Sequence, residues 1–247
     1  IEKIFEKEKV EKVVHLAARA GVRPSIENPL LYEEVNIRGT LVMLEMTRRF
    51  NVKQFVFGSS SSVYGINRVP FSEKDTVMPI SPYAATKKAG EELCYCYHHL
   101  YKIPITCLRF FTVYGPSQRP DLAIHKFVNM ISEGKTIEVY GDGTSARDYT
   151  YVADIVNGAV LALKKPFEFE IINLGNSNPV QLHTLILIIE KALGKKAVQK
   201  QVPDQPGDVP ITYADISKAK KLIGWEPKTN LEEGIKLFVE WFKSAAR

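Results

Sequence analysis

The sequence predicts an α/β protein in which a doubly wound parallel sheet precedes a smaller C-terminal α/β domain. In the first half, short and nearly continuous apolar runs alternate with longer segments of helical periodicity. Such runs are typical of parallel strands, because helices cover both faces of the sheet and neither face meets water. The second half is less regular. The chain has 247 residues, of which 45% are hydrophobic, and this allows one large core or two smaller ones.

The first elements follow from apolar spacing. An exposed amphipathic helix is predicted at the start (IEKIFEKEKVEK, 1–12), followed by a buried strand at 13–18. Residues 28–51 are predicted to be helical, because Pro29 lies near the start and apolar residues recur at i, i+4 and i+7 spacing. A second buried strand begins at 52 and ends in small polar residues by 65.

The later elements are predicted in the same way. A helix begins near Ser81 and Pro82 and ends at about Tyr101, and 103–116 reads as a strand running into a loop. Beyond it, the periodicity predicts helices and strands in an irregular order. The helices are at 122–134, 152–165, 182–194 (with Gly194 as C-cap) and 232–246, and the strands are at 135–143 and 169–176.

Composition argues against several classes of protein. The formal net charge is +5, but the basic residues are scattered, whereas nucleic-acid binders cluster them with aromatic residues. No apolar run approaches the roughly 18 residues of a membrane-spanning helix, and no secretory leader is visible. Three cysteines without a Cys-x-x-Cys pair (Cys94, Cys96 and Cys107) predict free thiols in a reducing, cytoplasmic compartment and no metal site.

Ligands of doubly wound sheets bind outside the carboxyl ends of the strands. Three segments follow the first three predicted strands, and all carry polar or charged groups. They are ARAGVRPS (18–25), GSSSSVYG (58–65) and TVYGPSQRPD (112–121).

Tyr83 and Lys87 lie four residues apart at the start of a predicted helix and therefore on one face of it. An ammonium near a phenol favours the phenolate, so the spacing predicts a lowered pKa for Tyr83. A phenol tuned in this way can exchange a proton with a substrate hydroxyl, and a strand-end serine can hydrogen-bond the same oxygen. The accompanying hydride must go to a cofactor, since no side chain accepts hydride.

Five motifs in order resemble the extended short-chain dehydrogenase/reductase family, and within it the nucleotide-sugar enzymes. They are HLAA, SSSSVYG, SPYAATK, RFFTVYGP and VYGDGTSARDYTYVADI, and they cover essentially the whole chain. The resemblance implies a Rossmann-type sheet, NAD as cofactor, a UDP-sugar substrate and a homodimer formed by the helices near 28–50 and 82–101. It implies that Tyr83 is the acid/base and that Lys87 holds the nicotinamide ribose. It implies that Ser60 is the catalytic serine, with Ser61 as the alternative because four serines run together.

The same resemblance implies further contacts. NAD contacts are expected from Tyr83 and Lys87 and from Ala17, Ala18, Asn36, Ser59 and Phe110. Arg147 resembles the arginine that binds the diphosphate, and Asp208 resembles the acid that bonds the uridine ribose. A uronate substrate would bring a buried carboxylate that needs cationic or multiple donors. Thr112 and Arg119 are expected to supply them, with Arg23 as another cation on a ligand-facing loop.

Details of the motifs distinguish the members of the family. Dehydratases carry an acidic pair where this chain has Ser61 and Ser62. UDP-glucuronate decarboxylases and UDP-galactose 4-epimerases have Asn in place of Thr112. RAGVRPSIENP, FFTVYGPSQRPD and DQPGDVPITYAD resemble UDP-glucuronate 4-epimerases. The predicted reaction is thus epimerisation of UDP-glucuronate to UDP-galacturonate. The alternatives are UDP-glucose 4-epimerase, UDP-glucuronate decarboxylase and an inactive UDP-sugar-binding fragment.

The Gly-rich turn that opens this family's fold has no counterpart here. The chain begins inside a helix at Ile1, so we expect a fragment that lacks the first strands. The predicted domains are a partial NAD-binding domain at 1–115, to which 148–176 return, and a mainly UDP-sugar-binding domain at 116–247. NAD rather than NADP is implied by the resemblance alone.

Overall fold

The computed structural model of the chain describes residues 1–203 and 209–245. Among the helices in these ranges, none combines the length and the apolarity needed to cross a membrane. The helices are α1 (Glu2–Glu8), α2 (Val22–Glu27), α3 (Pro29–Tyr32), α4 (Gly39–Arg49), α5 (Pro82–Tyr101), α6 (Ala123–Ser132), α7 (Val152–Lys164), α8 (Leu182–Leu193), α9 (Ser217–Ile223) and α10 (Leu231–Ala245). The strands are β1 (Lys12–His15), β2 (Gln54–Ser60), β3 (Ile105–Phe110), β4 (Thr112–Tyr114), β5 (Thr136–Tyr140), β6 (Ala146–Tyr151), β7 (Phe169–Leu174), β8 (Pro179–Gln181) and β9 (Val198–Val202).

The main sheet is wholly parallel and has the strand order β1-β2-β3-β7. Every residue of β2 is buried, including the small polar residues at its carboxyl end. In the register of the sheet, Ser59 of β2 lies opposite Arg109 of β3, which lies opposite Asn173 of β7. Because the strands are parallel, their carboxyl ends share one edge, and this row lies at that edge.

Two hydrophobic cores cover the two faces of this sheet, which confirms the doubly wound fold class. Phe55 and Phe57 of β2 face a core formed with α4 and α5. Val56, between them, faces the opposite core with α7 and α9. This alternation follows from the two-residue period of a strand. The helix α9 and the adjacent Trp225 belong to the second core, so a segment beyond 148–176 also returns to the sheet.

A third core lies among α6, α8, α10 and β5. Two small sheets accompany it, β4-β6-β8 and β5-β9. The strands β6, β8 and β9 and the helix α9 were not predicted. The missed strand β9 is nearly all exposed, so its sequence carries no apolar run. The predicted domain division at 115 stays a prediction.

The predicted helix at 28–51 is helical over nearly its whole length, but it changes between α-helical and π-helical geometry. Asn28 caps α3, since its side chain accepts a hydrogen bond from the Leu31 amide (3.3 Å). A π-helical turn at Glu33–Arg38 then joins α3 to α4. Such turns are rare and are frequently found at functional sites, and this one carries the buried Asn36.

The close packing of α5 on β2 generates a stability prediction. A Cβ atom at Gly90 would lie 2.4 Å from the Phe57 ring, whereas a Cβ at the helical Gly39 would meet nothing within 4 Å. We expect Gly90→Ala to lower the free energy of unfolding by about 1–3 kcal/mol, because the ring is buried and cannot give way. Gly39→Ala, the matched control, should raise it by about 0.4–1 kcal/mol. Urea unfolding measures both, and an equal effect at the two sites would contradict this packing.

His15 generates a prediction of pH dependence. Burial, with a smaller contribution from the Lys87 charge, lowers the pKa of His15 from 6.5 to about 4. The fold thus favours neutral His15, and stability that is complete above pH 6.5 is lost as the pH falls toward 4. We expect His15→Gln to reduce the loss of unfolding free energy between about pH 7 and about pH 5 by about 2 kcal/mol.

Urea unfolding of both proteins at the two pH values measures this difference. The same substitution at the exposed His99 is the control for removing an imidazole from the surface. If both variants change the pH dependence equally, burial of His15 is not the cause.

Candidate active site

The N-terminus of α5 is held firmly at the carboxyl edge of the sheet. Ser81 caps the helix by accepting a hydrogen bond from the Ala84 amide (3.2 Å). The Tyr83 amide donates to Ser25 Oγ of α2 (3.0 Å), and the Tyr83 carbonyl accepts from Thr86 Oγ1 (2.8 Å). The backbone of Tyr83 is therefore fixed on both sides.

Asn36 extends this network to the loop after β1. Its Nδ2 donates to Thr86 Oγ1 (2.9 Å) and to the Arg19 carbonyl (3.0 Å), and its Oδ1 accepts from the Arg19 amide (2.7 Å). Both amide donors of Asn36 are thus used inside the chain. The structure gives Asn36 a positioning role, and its predicted contact with the cofactor stays a prediction.

Lys87 is almost fully buried beneath the same edge. Its Nζ donates to the Gly58 carbonyl (2.7 Å) and lies 5.1 Å from the centre of the Phe57 ring. Burial lowers the pKa of Lys87 from 10.5 to about 8. An ammonium has three donors, and only the bond to Gly58 is found among the described residues. A buried amine with donors to spare fits the hydroxyl groups of a ribose.

The structure distinguishes the two candidate serines. Ser60 and Tyr83 line one cavity of about 410 Å³, and the Ser60 hydroxyl lies close enough to the phenol to lower its pKa. Ser61 begins a 3₁₀ turn at Ser61–Tyr64 and lines a different cavity of about 150 Å³. Of the two alternatives, Ser60 is the residue that faces Tyr83.

The predicted lowering of the Tyr83 pKa is wrong for the chain by itself. Burial raises the pKa of Tyr83, and the neighbouring Tyr32 raises it further. The hydrogen bond with Ser60 and the charge of Arg119 lower it. Lys87 does not contribute, because its amine points to the carbonyl of Gly58 on the strand.

Arg147 and Thr112 lie between neighbouring cavities. Arg147, on the unpredicted strand β6, lines the cavity of Ser60 and Tyr83, the cavity of Ser61, and a third of about 640 Å³. Its Nη1 donates to the carbonyls of Ala146 (3.0 Å) and Pro210 (3.4 Å), and in the ranges that the structure describes it forms no ion pair. Thr112 lines both the cavity of Ser60 and Tyr83 and the cavity of Ser61, whereas Phe110 lines only the cavity of Ser60 and Tyr83 among these. A guanidinium that has no carboxylate partner among the described residues suits an anionic ligand.

Arg119 lies at the rim of the site. Its guanidinium forms a bidentate ion pair with Asp121 (3.0 and 2.6 Å) and donates to the Ala20 carbonyl (3.3 Å). Burial of the pair is only partial, since 45% of the Arg119 side chain is exposed. Arg119 lies outside the lining of the Tyr83 cavity, although its charge reaches the phenol.

Several predicted residues fall elsewhere. Arg23 is not on a loop but on α2, and its guanidinium lies 4.9 Å from the centre of the Tyr140 ring. Ser59, by contrast, does line the Tyr83 cavity, although it is buried and its hydroxyl donates to Glu91 Oε1 (2.6 Å). Ala17 and Ala18 lie in the loop after β1, exposed and half-buried respectively. Asp208 lies outside the described residues.

Sequence reasoning missed the residues that support Tyr83 and Ser60. Tyr32 packs edge-on against Tyr83 (6.2 Å between ring centres) and donates to the Ala20 carbonyl (3.0 Å). Glu91 and Arg109 form a buried ion pair next to Ser59. One indication was available, because Glu91 lies four residues beyond Lys87 and must share its face of α5.

Known proteins resemble this chain along nearly its whole length. The family profile described as GDP-mannose 4,6 dehydratase matches residues 1–238. UDP-glucuronate 4-epimerase of Thermodesulfobacterium geofontis is 51% identical, over 97% of this chain and 75% of that protein. The structure of UDP-glucuronic acid 4-epimerase from Bacillus cereus is 38% identical, with a TM-score of 0.94 over 99% of this chain and 78% of that one.

The structure of UDP-glucose 4-epimerase from Thermotoga maritima is 34% identical and has a TM-score of 0.95, over all of this chain (100%) and 81% of that one. These matches agree in fold, in sequence and in the extent of chain that they cover. The chain therefore belongs to the extended short-chain dehydrogenase/reductase family, and within it to the nucleotide-sugar epimerases.

Proposed function

We propose that this protein is an NAD-dependent 4-epimerase of UDP-sugars and that its substrate is UDP-glucuronate, converted to UDP-galacturonate. The observation that carries the proposal is the Tyr83–Ser60 pair in a cavity whose wall includes Arg147. An acid/base and an anion-binding cation thus border one space. The relatives support the proposal: one is named UDP-glucuronate 4-epimerase, and the Bacillus cereus structure contains UDP-glucuronic acid and NAD.

The residues of the site fit a nicotinamide cofactor. Lys87 would hold the ribose hydroxyls, and Ser59 and Phe110 would border the nicotinamide at the ends of β2 and β3. When bound there, NAD⁺ would supply the acceptor for the hydride of the sugar C4 and the donor for its return.

The chain supplies the proton chemistry. Tyr83 takes the proton of the sugar 4-hydroxyl and gives it back to the opposite epimer, while Ser60 hydrogen-bonds the reacting oxygen. Arg147 holds the diphosphate, so the sugar can turn within the cavity while its anchor stays in place. The oxidised uronate is a β-keto acid that readily loses carbon dioxide. The protein must therefore hold the carboxylate, and Thr112 and Arg119 are the proposed donors.

Arg119 can reach a substrate carboxylate only by sharing or leaving Asp121. Since this ion pair is largely exposed, its net contribution is about 0–1 kcal/mol, and the exchange costs little. A carboxylate held in the cavity is desolvated and forms the stronger charge-assisted bond. The homodimer and the cytoplasmic location stay predictions.

Product analysis tests the proposed reaction. The protein is incubated with NAD⁺ and either UDP-glucuronate or UDP-glucose, and the products are identified by NMR. UDP-galacturonate from UDP-glucuronate is the expected result. A UDP-pentose would instead indicate the decarboxylase, and turnover of UDP-glucose alone would indicate the UDP-glucose epimerase. No turnover of either sugar, with binding retained, would indicate a UDP-sugar-binding fragment.

Tyr83→Phe should abolish proton transfer without altering the cavity. We expect kcat to fall by about 10²–10⁴-fold, since this is the range of general acid/base catalysis. The dissociation constant of UDP-glucuronate should change little, because the ring remains. Steady-state kinetics and calorimetry measure the two effects. Tyr95→Phe, on an exposed face of the same helix, is the control and should retain wild-type kcat.

Arg119→Ala should change the choice of substrate. Losing a charge-assisted contact to the C6 carboxylate should lower kcat/KM for UDP-glucuronate by about 10- to 100-fold. UDP-glucose has no such carboxylate, so its kcat/KM should fall much less, through the loss of the Arg119 charge near the Tyr83 phenol alone. The control is Arg49→Ala, because Arg49 also forms a surface ion pair, with Glu2. An unchanged ratio of the two kcat/KM values would refute the assignment of Arg119.

A further inference from the structure

Beneath the catalytic serine lies an ion pair that the proposed chemistry does not use. Arg109 of β3 and Glu91 of α5 are each 2% exposed. Arg109 Nε donates to Glu91 Oε1 and Arg109 Nη2 to Glu91 Oε2, both at 2.8 Å. Removing two charges from water is costly, and apolar pairs of similar size are often equally or more stable. Stability alone is therefore a poor reason for this pair.

The ion pair connects directly to the strand that carries the catalytic serine. Glu91 Oε1 also accepts a hydrogen bond from Ser59 Oγ (2.6 Å). Ser59 is the residue opposite Arg109 in the sheet and the one immediately before Ser60. The carboxylate thus holds α5, β2 and β3 together at a single point.

The same helix and strand meet at two further points. Lys87 Nζ donates to the Gly58 carbonyl (2.7 Å), and Tyr83 and Ser60 line one cavity. Tyr83, Lys87 and Glu91 follow one another at four-residue spacing on one face of α5. They face the last three residues of β2. The hydrogen bond that Ser59 donates to Glu91 therefore fixes the strand between Gly58, which contacts Lys87, and Ser60, which lies near Tyr83.

We infer that Glu91, oriented by Arg109, is a positioning residue that sets the distance between Ser60 and Tyr83 through its hydrogen bond to Ser59. It touches neither substrate nor cofactor and acts only by fixing the end of β2 against α5. Reactions of this type are sensitive to displacements of about 1 Å, which can cost about 100-fold in rate. The kinetic consequence rests on the proposed function, whereas the structural link does not.

The main test separates positioning from stability. The double variant Glu91→Leu, Arg109→Met removes both charges together and leaves no unpaired buried ion. Its thermal midpoint should equal or exceed that of the wild type. Its kcat should nevertheless fall by about 10- to 100-fold, with KM for the UDP-sugar within about twofold. Wild-type kcat in a stable double variant would overturn the inference.

Ser59→Ala removes the hydrogen bond from Ser59 to Glu91 and leaves the Glu91–Arg109 ion pair in place. It should lower kcat as much as the double variant does, and the three substitutions together should lower it no further. The matched control is Thr106→Val, which deletes a buried strand hydroxyl that has no hydrogen-bond partner. If Ser59→Ala behaves like Thr106→Val, or if its effect adds to that of the double variant, the inference is wrong.

A measurement without turnover distinguishes this inference from the proposed function. The titration of Lys87 is followed by NMR in ¹³C-lysine-labelled protein, with assignment by Lys87→Met. Among the described residues, His15 of β1 and Cys94 of α5 are titratable groups that interact with its charge. Both the Glu91→Leu, Arg109→Met double variant and Ser59→Ala should loosen the end of β2 and admit water to the Lys87 amine. Because burial lowers the Lys87 pKa, it should then rise from about 8 toward 10.5. An unchanged titration would count against the inference, whereas an inactive wild type would count only against the proposed function.

Discussion

The packing of α5 against β2 is the contact on which the site depends. The helix lies so close to the strand that only glycine fits at position 90, next to the Phe57 ring. This proximity buries Lys87 and directs its amine to the Gly58 carbonyl. It also places the first turn of α5 over the end of β2, where Tyr83 meets Ser60. A helix displaced by one turn would keep its amphipathic face but lose all of these contacts.

Electrostatics at this edge differ from the simplest view of a tyrosine–lysine pair. Burial raises the pKa of Tyr83 and lowers that of Lys87, so each residue is driven toward its neutral form. The groups of the chain that favour the phenolate are the Ser60 hydroxyl and Arg119. Arg119 lies on the loop that is proposed to bind the sugar, so the protonation of Tyr83, the proposed acid/base, depends on a residue at the rim of the proposed substrate site. A carboxylate on that arginine would weaken its effect on the phenol, because opposite charges in contact cancel much of their field.

Polar groups buried below the site complete this arrangement. Ser25 and Thr86 fix the backbone of Tyr83, and Asn36 ties Thr86 to the loop after β1. The bonds from Asn36 to Thr86 and from the Tyr83 amide to Ser25 join different elements, whereas the bond from Thr86 to Tyr83 lies within α5. The side chains that are proposed to react are thus held by residues from three parts of the chain.

The sequence by itself determined the parallel sheet, the start of α5 at Ser81 and Pro82, and the placement of Tyr83 and Lys87 near a serine-bearing strand end. These features depend on local apolar periodicity and helix capping, which a single segment encodes. Only the tertiary structure decided that Ser60 faces Tyr83, that Lys87 bonds the strand, and that Arg119 is paired with Asp121. It also placed Arg147 on an unpredicted strand among three cavities. The direction of a side chain and the pKa of its group depend on strand register and on desolvation by distant segments, and no local pattern of residues records either.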